Sequence, residues 1–323
     1  MKYKVFSATA LTLAMSLATP TSALASVFWT DWAGDSNVWK SDLDGTNPST
    51  LITGQFSDPG GIDLDLKNGK MYIADNGGVN GVGSTPSVAR ANLDGSGLEY
   101  VVLGGRPSDV ALDVTGGKMY WTDWAGDSNV WRADLDGSNA EVLISGQFSD
   151  PSGIALDLAN GKMYIADEGG IGGVGSVPSV AVANLDGSGL SILATGGRPT
   201  GVAVDELNGK LYWTDWMGDN NVWQSDLDGS NATAIIMGQF SDLNGIDVDP
   251  YLGKIYLAET GGVNGVGFDP SVASANLDGS DVQILVTGGR PSDVAIVPEP
   301  TTALLMLVGG ASLLCKRRKS EKA

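Results

Sequence analysis

The residues best suited to chemistry in this chain are carboxylates, amides and tryptophans, and they recur in fixed patterns. Three segments, Asp31–Asn37, Asp123–Asn129 and Asp215–Asn221, read D-W-x-G-D-x-N. Each gathers three side-chain oxygen donors: Asp31, Asp35 and Asn37; Asp123, Asp127 and Asn129; Asp215, Asp219 and Asn221. Calcium takes about six to eight oxygen ligands, so these nine are the candidate ligands for it. The spacing is not that of an EF-hand loop, and hairpin chemistry alone also selects Asp, Asn and Gly at such positions. Trp32, Trp124 and Trp216 stand in the same segments, where partly exposed rings in three-fold array could stack on sugars. Asp65, Asp113, Asp157, Asp205 and Asp249 recur at one turn position and are expected to cap backbone amides, whereas the sixth equivalent is Val297. Asp63 and Asp247 lie two residues earlier, but the middle equivalent is Ala155, which breaks a three-fold site. Arg106, Arg198 and Arg290 each precede a proline and are expected to pair with nearby carboxylates.

What is missing narrows the chemistry further. The 323 residues include no histidine and one cysteine, Cys315, near the end. Ser-His and Cys-His catalysis, His-bearing zinc sites and structural disulfides are therefore excluded. Asp and Glu number 38 against 19 Lys and Arg. Such a surface is unsuited to nucleic acid, since phosphate binding needs clustered bases. No catalytic residue is assigned.

The elements that must carry these residues are repeats. Trp29–Trp32 recurs at Trp121–Trp124 and Trp213–Trp216, a spacing of 92. Within each long unit, Leu-Asp-Gly starts at Leu43, Leu93, Leu135, Leu185, Leu227 and Leu277. The chain thus holds six modules, and alternate ones carry a glycine-rich insertion (Asn76–Thr85, Glu168–Val177, Thr260–Asp269) that should project as a loop. Each module has four short strand signals; in the second they are Ser108–Asp113, Lys118–Asp123, Asn129–Asp134 and Glu141–Ser145. One such thin sheet cannot bury both faces, but six around an axis can. The first module lacks its first strand, and Ser292–Val297 is a first strand with nothing after it. Pairing Ser292–Val297 with Val27–Asp31 would close a ring, whereas an open solenoid accounts for neither fragment. The expected fold is all-β, a six-bladed β-propeller over 26–297.

The two ends read as addresses. Lys2 and Lys4, an apolar run Val5–Ala18 and the small-residue site Ala23-Leu24-Ala25 form a secretory signal peptide over 1–25, cut after Ala25. At the other end, Pro298-Glu299-Pro300 precedes an apolar stretch, Thr301–Cys315, and the basic cluster Lys316–Lys319. Fifteen helical residues span roughly 22 Å, a marginal membrane span. This tripartite ending over 298–323 resembles the PEP-CTERM sorting signal of Gram-negative bacteria. The resemblance implies processing near Pro298, Glu299 and Pro300 by an exosortase-type enzyme, with a membrane-held precursor and a product at the cell surface or outside. Without the ends, 12 basic residues face 36 acidic ones.

Lys118–Asp123 (KMYWTD) and Arg132–Ser138 (RADLDGS) resemble the YWTD, or class B, repeats of the low-density lipoprotein receptor. The resemblance covers about 27–297 and implies a six-bladed β-propeller. Alternate modules depart from it, reading Tyr72–Asp75 (YIAD), Tyr164–Asp167 (YIAD) and Tyr256–Glu259 (YLAE). The expectation is a non-enzymatic binding protein of the bacterial surface, with a protein or exopolysaccharide partner. A propeller enzyme of lactonase or lyase type, with a metal at the central channel, is the alternative class. A sugar-binding module using the exposed tryptophans is the other.

Overall fold

In the computed structural model, residues 25–298 are described, apart from 33–35, 78–84, 125–127, 170–176, 217–219 and 262–268. The signal segment with Ala23, the tail with Glu299 and Pro300, and most of each glycine-rich insertion lie outside the described residues. Twenty-four strands, β1 (Ser26–Asp31) to β24 (Pro291–Val297), form six four-stranded antiparallel sheets. Five sheets take consecutive strands; the sixth has the order β24-β1-β2-β3, where β2 is Asn37–Asp42 and β3 is Ser49–Ile52. The two chain ends of the domain thus share a blade, with Val27 opposite Ile296 and Trp29 opposite Val294. The expected strand boundaries shift by one residue: Pro107 joins the strand ending at Asp113, and the outer strand stops at Ile144.

Burial explains the strand sequences. Second strands are enclosed on both faces, so Lys118–Asp123 and Lys162–Asp167 are buried at every position after the lysine. Outer strands alternate with solvent or face it, as in Glu99–Leu103, where exposed residues dominate. Core clusters form between blades. One joins Phe28 and Val38 of the closing blade to Met71, Ile73, Ala89 and Ala91 of the next. Trp29, Trp121 and Trp213 fill the widening wedge and are 3–5% exposed. Each lies parallel to its cross-strand partner, Trp39, Trp131 or Trp223, with centroids 5.8–6.0 Å apart.

Each position of the Tyr-Trp-Thr-Asp motif has an inter-blade or loop-fixing contact. The Tyr72 and Tyr164 hydroxyls donate to the Leu135 and Leu227 carbonyls, each in the next blade's Leu-Asp-Gly turn, at 3.0 and 3.2 Å. The Thr122 hydroxyl donates to the Ser152 carbonyl of the next inner strand at 2.5 Å and accepts from the Asp109 amide at 3.2 Å. The motif aspartates hold the loop that enters their own blade: Asp31 and Asp123 accept from the Arg290 and Arg106 amides, both at 2.8 Å.

The Leu-Asp-Gly turns lock blade to blade. Gly137 has φ of 83°, and a Cβ there would stand 1.9 Å from the Val101 carbonyl oxygen of the preceding blade. Gly146 has φ of 64° with nothing within 4 Å of a built Cβ. Gly146→Ala should therefore cost only the left-handed backbone penalty of about 1–2 kcal/mol. Gly137→Ala adds a collision of backbone with backbone and should cost several times more, read as paired denaturant midpoints. Equal losses would show that the turns do not lock the blades. Removal of Ser292–Val297 leaves β1 without its inner partner and exposes its edge. The cooperative thermal transition should then disappear, as followed by circular dichroism.

Candidate functional site

The inner strands surround a channel, and their seven-residue runs point positions three and five at its axis. Pro107–Asp113 puts Asp109 there, Pro291–Val297 puts Asp293, Pro59–Asp65 puts Asp63, and Leu243–Asp249 puts Asp247. The remaining inner strands, Pro151–Asp157 and Pro199–Asp205, carry Ala155 and Gly201 at the corresponding places. Four aspartates thus form an inner ring, which the two small residues leave open on one side. Ala155 was the break legible in the sequence. Asp109 and Asp293 went unnoticed, although they follow Asp63 and Asp247 by the same 46 residues.

Each channel carboxylate straps its strand to the next. Asp63 accepts from the Leu112 amide at 2.8 Å and Asp109 from Ile154 at 2.8 Å. Asp247 accepts from Ile296 and Asp293 from Ile62, both at 2.9 Å. Neighbouring amides Leu64, Val110 and Val248 donate to the other oxygen of Asp63, Asp109 and Asp247 at 2.6–2.7 Å. Burial pushes Asp63 and Asp109 up to about 7 and Asp247 to about 6, against the lowering effect of those amides. Asp293 is raised well above the ordinary carboxylate range by burial first and then by the charge of Asp109.

Above this ring lies the mouth, a cavity of about 340 Å³. Asp109 and Asp293 form its floor and also border a second cavity of about 220 Å³ below, making them the waist of the channel. Trp32 and Trp124 line the mouth and are 37% and 36% exposed; Trp216 is not among its lining residues. All three indoles carry a guanidinium over one ring face: Arg290 at 4.3 Å, Arg106 at 4.0 Å and Arg198 at 4.8 Å from the centroid. The arginines expected to pair with carboxylates thus stack on tryptophan in every copy, and Arg198 also meets Glu168 at 3.1 Å. The indole Nε1 of Trp124 donates to Asn76 at 2.5 Å. Burial, then the charge of Asp150, pushes Glu168 up to about 7 in spite of Arg198. Burial and Asp75 bring Asp58 to about 6, opposed by Arg106.

The other sequence expectations fall as follows. Asp65, Asp157 and Asp205 accept from the amide three residues on, each at 2.9 Å, as caps. Of the nine oxygen donors considered for calcium, Asp35, Asp127 and Asp219 lie outside the described residues. Asp31, Asp123 and Asp215 each accept from the amide of an arginine, Arg290, Arg106 and Arg198. The side-chain oxygens of Asn37, Asn129 and Asn221 are buried without a hydrogen-bond partner. Among the described residues no group of three or more acidic side chains is placed to hold a metal ion.

The raised channel carboxylates carry a signed consequence for stability. A folded-state pKa above the unfolded value means that the native state holds the proton longer, so stability falls as pH rises from about 4 to about 7. Ala155→Asp adds a fifth carboxylate in the register of Asp63. Its melting temperature should fall relative to the parent at pH 8, by the equivalent of about 2 kcal/mol, and much of that gap should close at pH 5. A gap independent of pH would mean that the added group is not held in the dry channel.

Residues 117–158, one blade-length of the chain, match the family described as low-density lipoprotein receptor repeat class B. Vitellogenin receptor Yl of Drosophila melanogaster is 29% identical over 99 residues, which cover 31% of this chain and 5% of that protein. The human low-density lipoprotein receptor-related protein 5-like protein is 29% identical over 121 residues, 37% of this chain and 45% of that one. The chain therefore spans under half the length of these relatives. Among solved structures, a nidogen/laminin complex shares the fold with a TM-score of 0.68 at 19% identity, over 85% of this chain and 99% of that one. TolB from Acinetobacter baumannii does so at 0.63 and 14%, over 85% and 67%. The class B match on one blade and the closed ring of six four-stranded sheets together support a YWTD β-propeller.

Proposed function

We propose that the chain is an exported, non-enzymatic binding protein of the bacterial surface whose ligand enters the mouth of the channel. The observation that carries this reading is the mouth itself, a concave cavity walled by two partly exposed tryptophans and edged with polar side chains. Such a combination of aromatic wall and few oriented polar groups is how small-ligand sites are built. The relatives named as receptors support a binding role, and the lack of any histidine removes the commonest general base. The exposed indoles at the mouth favour a saccharide over a flat protein partner, since an indole presents its apolar face to a sugar ring. Export rests on the basic-apolar-small pattern ending at Ala25, and surface delivery on Pro298-Glu299-Pro300 with the apolar and basic segments behind it.

Sorting and binding are tested separately. Mass spectrometry of the native protein should find the mature form without Leu304–Ala323 in cells that hold the sorting enzyme, and with it in cells that lack that enzyme. A surface-exposed form with an intact Lys316–Lys319 cluster would remove the sorting reading. For binding, a glycan and protein array with calcium and with chelator should give a partner whose retention falls about tenfold or more in Trp124→Ala. A partner indifferent to that substitution would place binding elsewhere.

A further inference from the structure

The mouth combines two independent features, and together they select a ligand class. The first is its aromatic wall. Arg290 and Arg106 each cover one face of Trp32 and Trp124 and fix the rings, which remain over one-third exposed. The second is its charge. Asp58, Asp150 and Glu168 stand at the rim and Asp109 and Asp293 at the floor, while no lysine or arginine is among the described residues lining the cavity. The arginines cover the indoles, and Arg198 also pairs with Glu168 at the rim, but at the floor the carboxylates receive backbone amides and no cation among the described residues.

A neutral sugar would use the indoles and the hydroxyls of Ser108, Ser152 and Ser292 but leave the floor uncompensated. A bare polyamine would answer the floor but not the aromatic wall. An amino sugar answers both, because its ring presents an apolar face and hydroxyls while its ammonium supplies three donors and a positive charge. The cavity volume, about 340 Å³, is within the range of sites for such ligands, roughly 300–1,000 Å³. We propose, on the reading that the mouth is a binding site, that it takes a cationic amino-sugar unit of a saccharide chain, with the ring beside Trp32 and Trp124 and the ammonium towards Asp109 and Asp293.

The test is titration calorimetry of the full chain at pH 7.5, above the value of about 7 to which burial raises Asp109, with indole fluorescence as a second signal. Four probes are compared: the β-linked glucosamine tetramer, its fully N-acetylated form, a β-linked glucose tetramer and spermidine. The glucosamine tetramer should bind saturably, quench indole fluorescence and bind about tenfold or more tighter than each of the other three, the difference expected for one charge-assisted hydrogen bond. Asp109→Asn and Asp293→Asn keep an oxygen for the Ile154 and Ile62 amides and should each weaken the glucosamine tetramer while leaving the glucose tetramer unchanged. Near-ultraviolet circular dichroism confirms that each variant is folded, and Asp58→Asn at the rim supplies a milder change if either floor variant unfolds. Equal binding of the acetylated and free forms would overturn the cationic part, and equal binding of spermidine the sugar part. No binding by the glucosamine tetramer would overturn the whole inference. An array partner of other chemistry that still depends on Trp124 would leave the binding-protein reading intact while this one falls.

Discussion

A four-stranded sheet of six-residue strands is too thin to bury its own faces, and this constraint governs the molecule. Each second strand reaches full burial only by packing a blade on both sides, as the near-continuous burial of Lys118–Asp123 and its equivalents records. The demand passes from blade to blade and ends only when the last sheet meets the first. Closure therefore uses the strand most distant in sequence, Pro291–Val297, beside Ser26–Asp31. Cooperativity in this fold follows from the ring having no terminal blade to fray.

From that demand come the jobs of the repeated residues. Tyrosine hydroxyls reach the carbonyl of the next blade's turn, threonines tie adjacent inner strands, and aspartates hold the loops that enter each blade. Tryptophans occupy the wedge that opens with radius, where a smaller side chain would leave a cavity. Alternate modules carry alanine in place of this threonine, at Ala74, Ala166 and Ala258. Asp63 and Asp247, both in such modules, strap to the next strand through their carboxylates.

The same straps set the electrostatics of the axis. Carboxylates that serve as backbone acceptors are drawn into a narrow channel, where burial opposes their charge. Two small residues, Ala155 and Gly201, interrupt the ring on one side. The mouth inherits this asymmetry: Asn76 and Glu168, equivalent in sequence but different in chemistry, both line it. A repeat protein thus obtains a non-repeating site by drifting at a few positions while its wedge residues stay uniform.

Much of the architecture was legible in the residues alone. The 92-residue period, the six Leu-Asp-Gly turns and the split module determined six blades and their closure, because periodicity and strand parity are local properties that survive in any context. The capping role of Asp65 and its equivalents was equally local, set within one turn. What the tertiary structure decided is which repeated residues meet. Asp109 and Asp293 reach the axis beside Asp63 and Asp247 because positions three and five share a strand face. Spacing along the chain does not say which face that is. Arg106 and Trp124 stack because a loop and a hairpin 18 residues apart end at the same corner of one blade. The steric need for Gly137 arises from the outer strand of the preceding blade, a neighbour that no reading of its own turn contains.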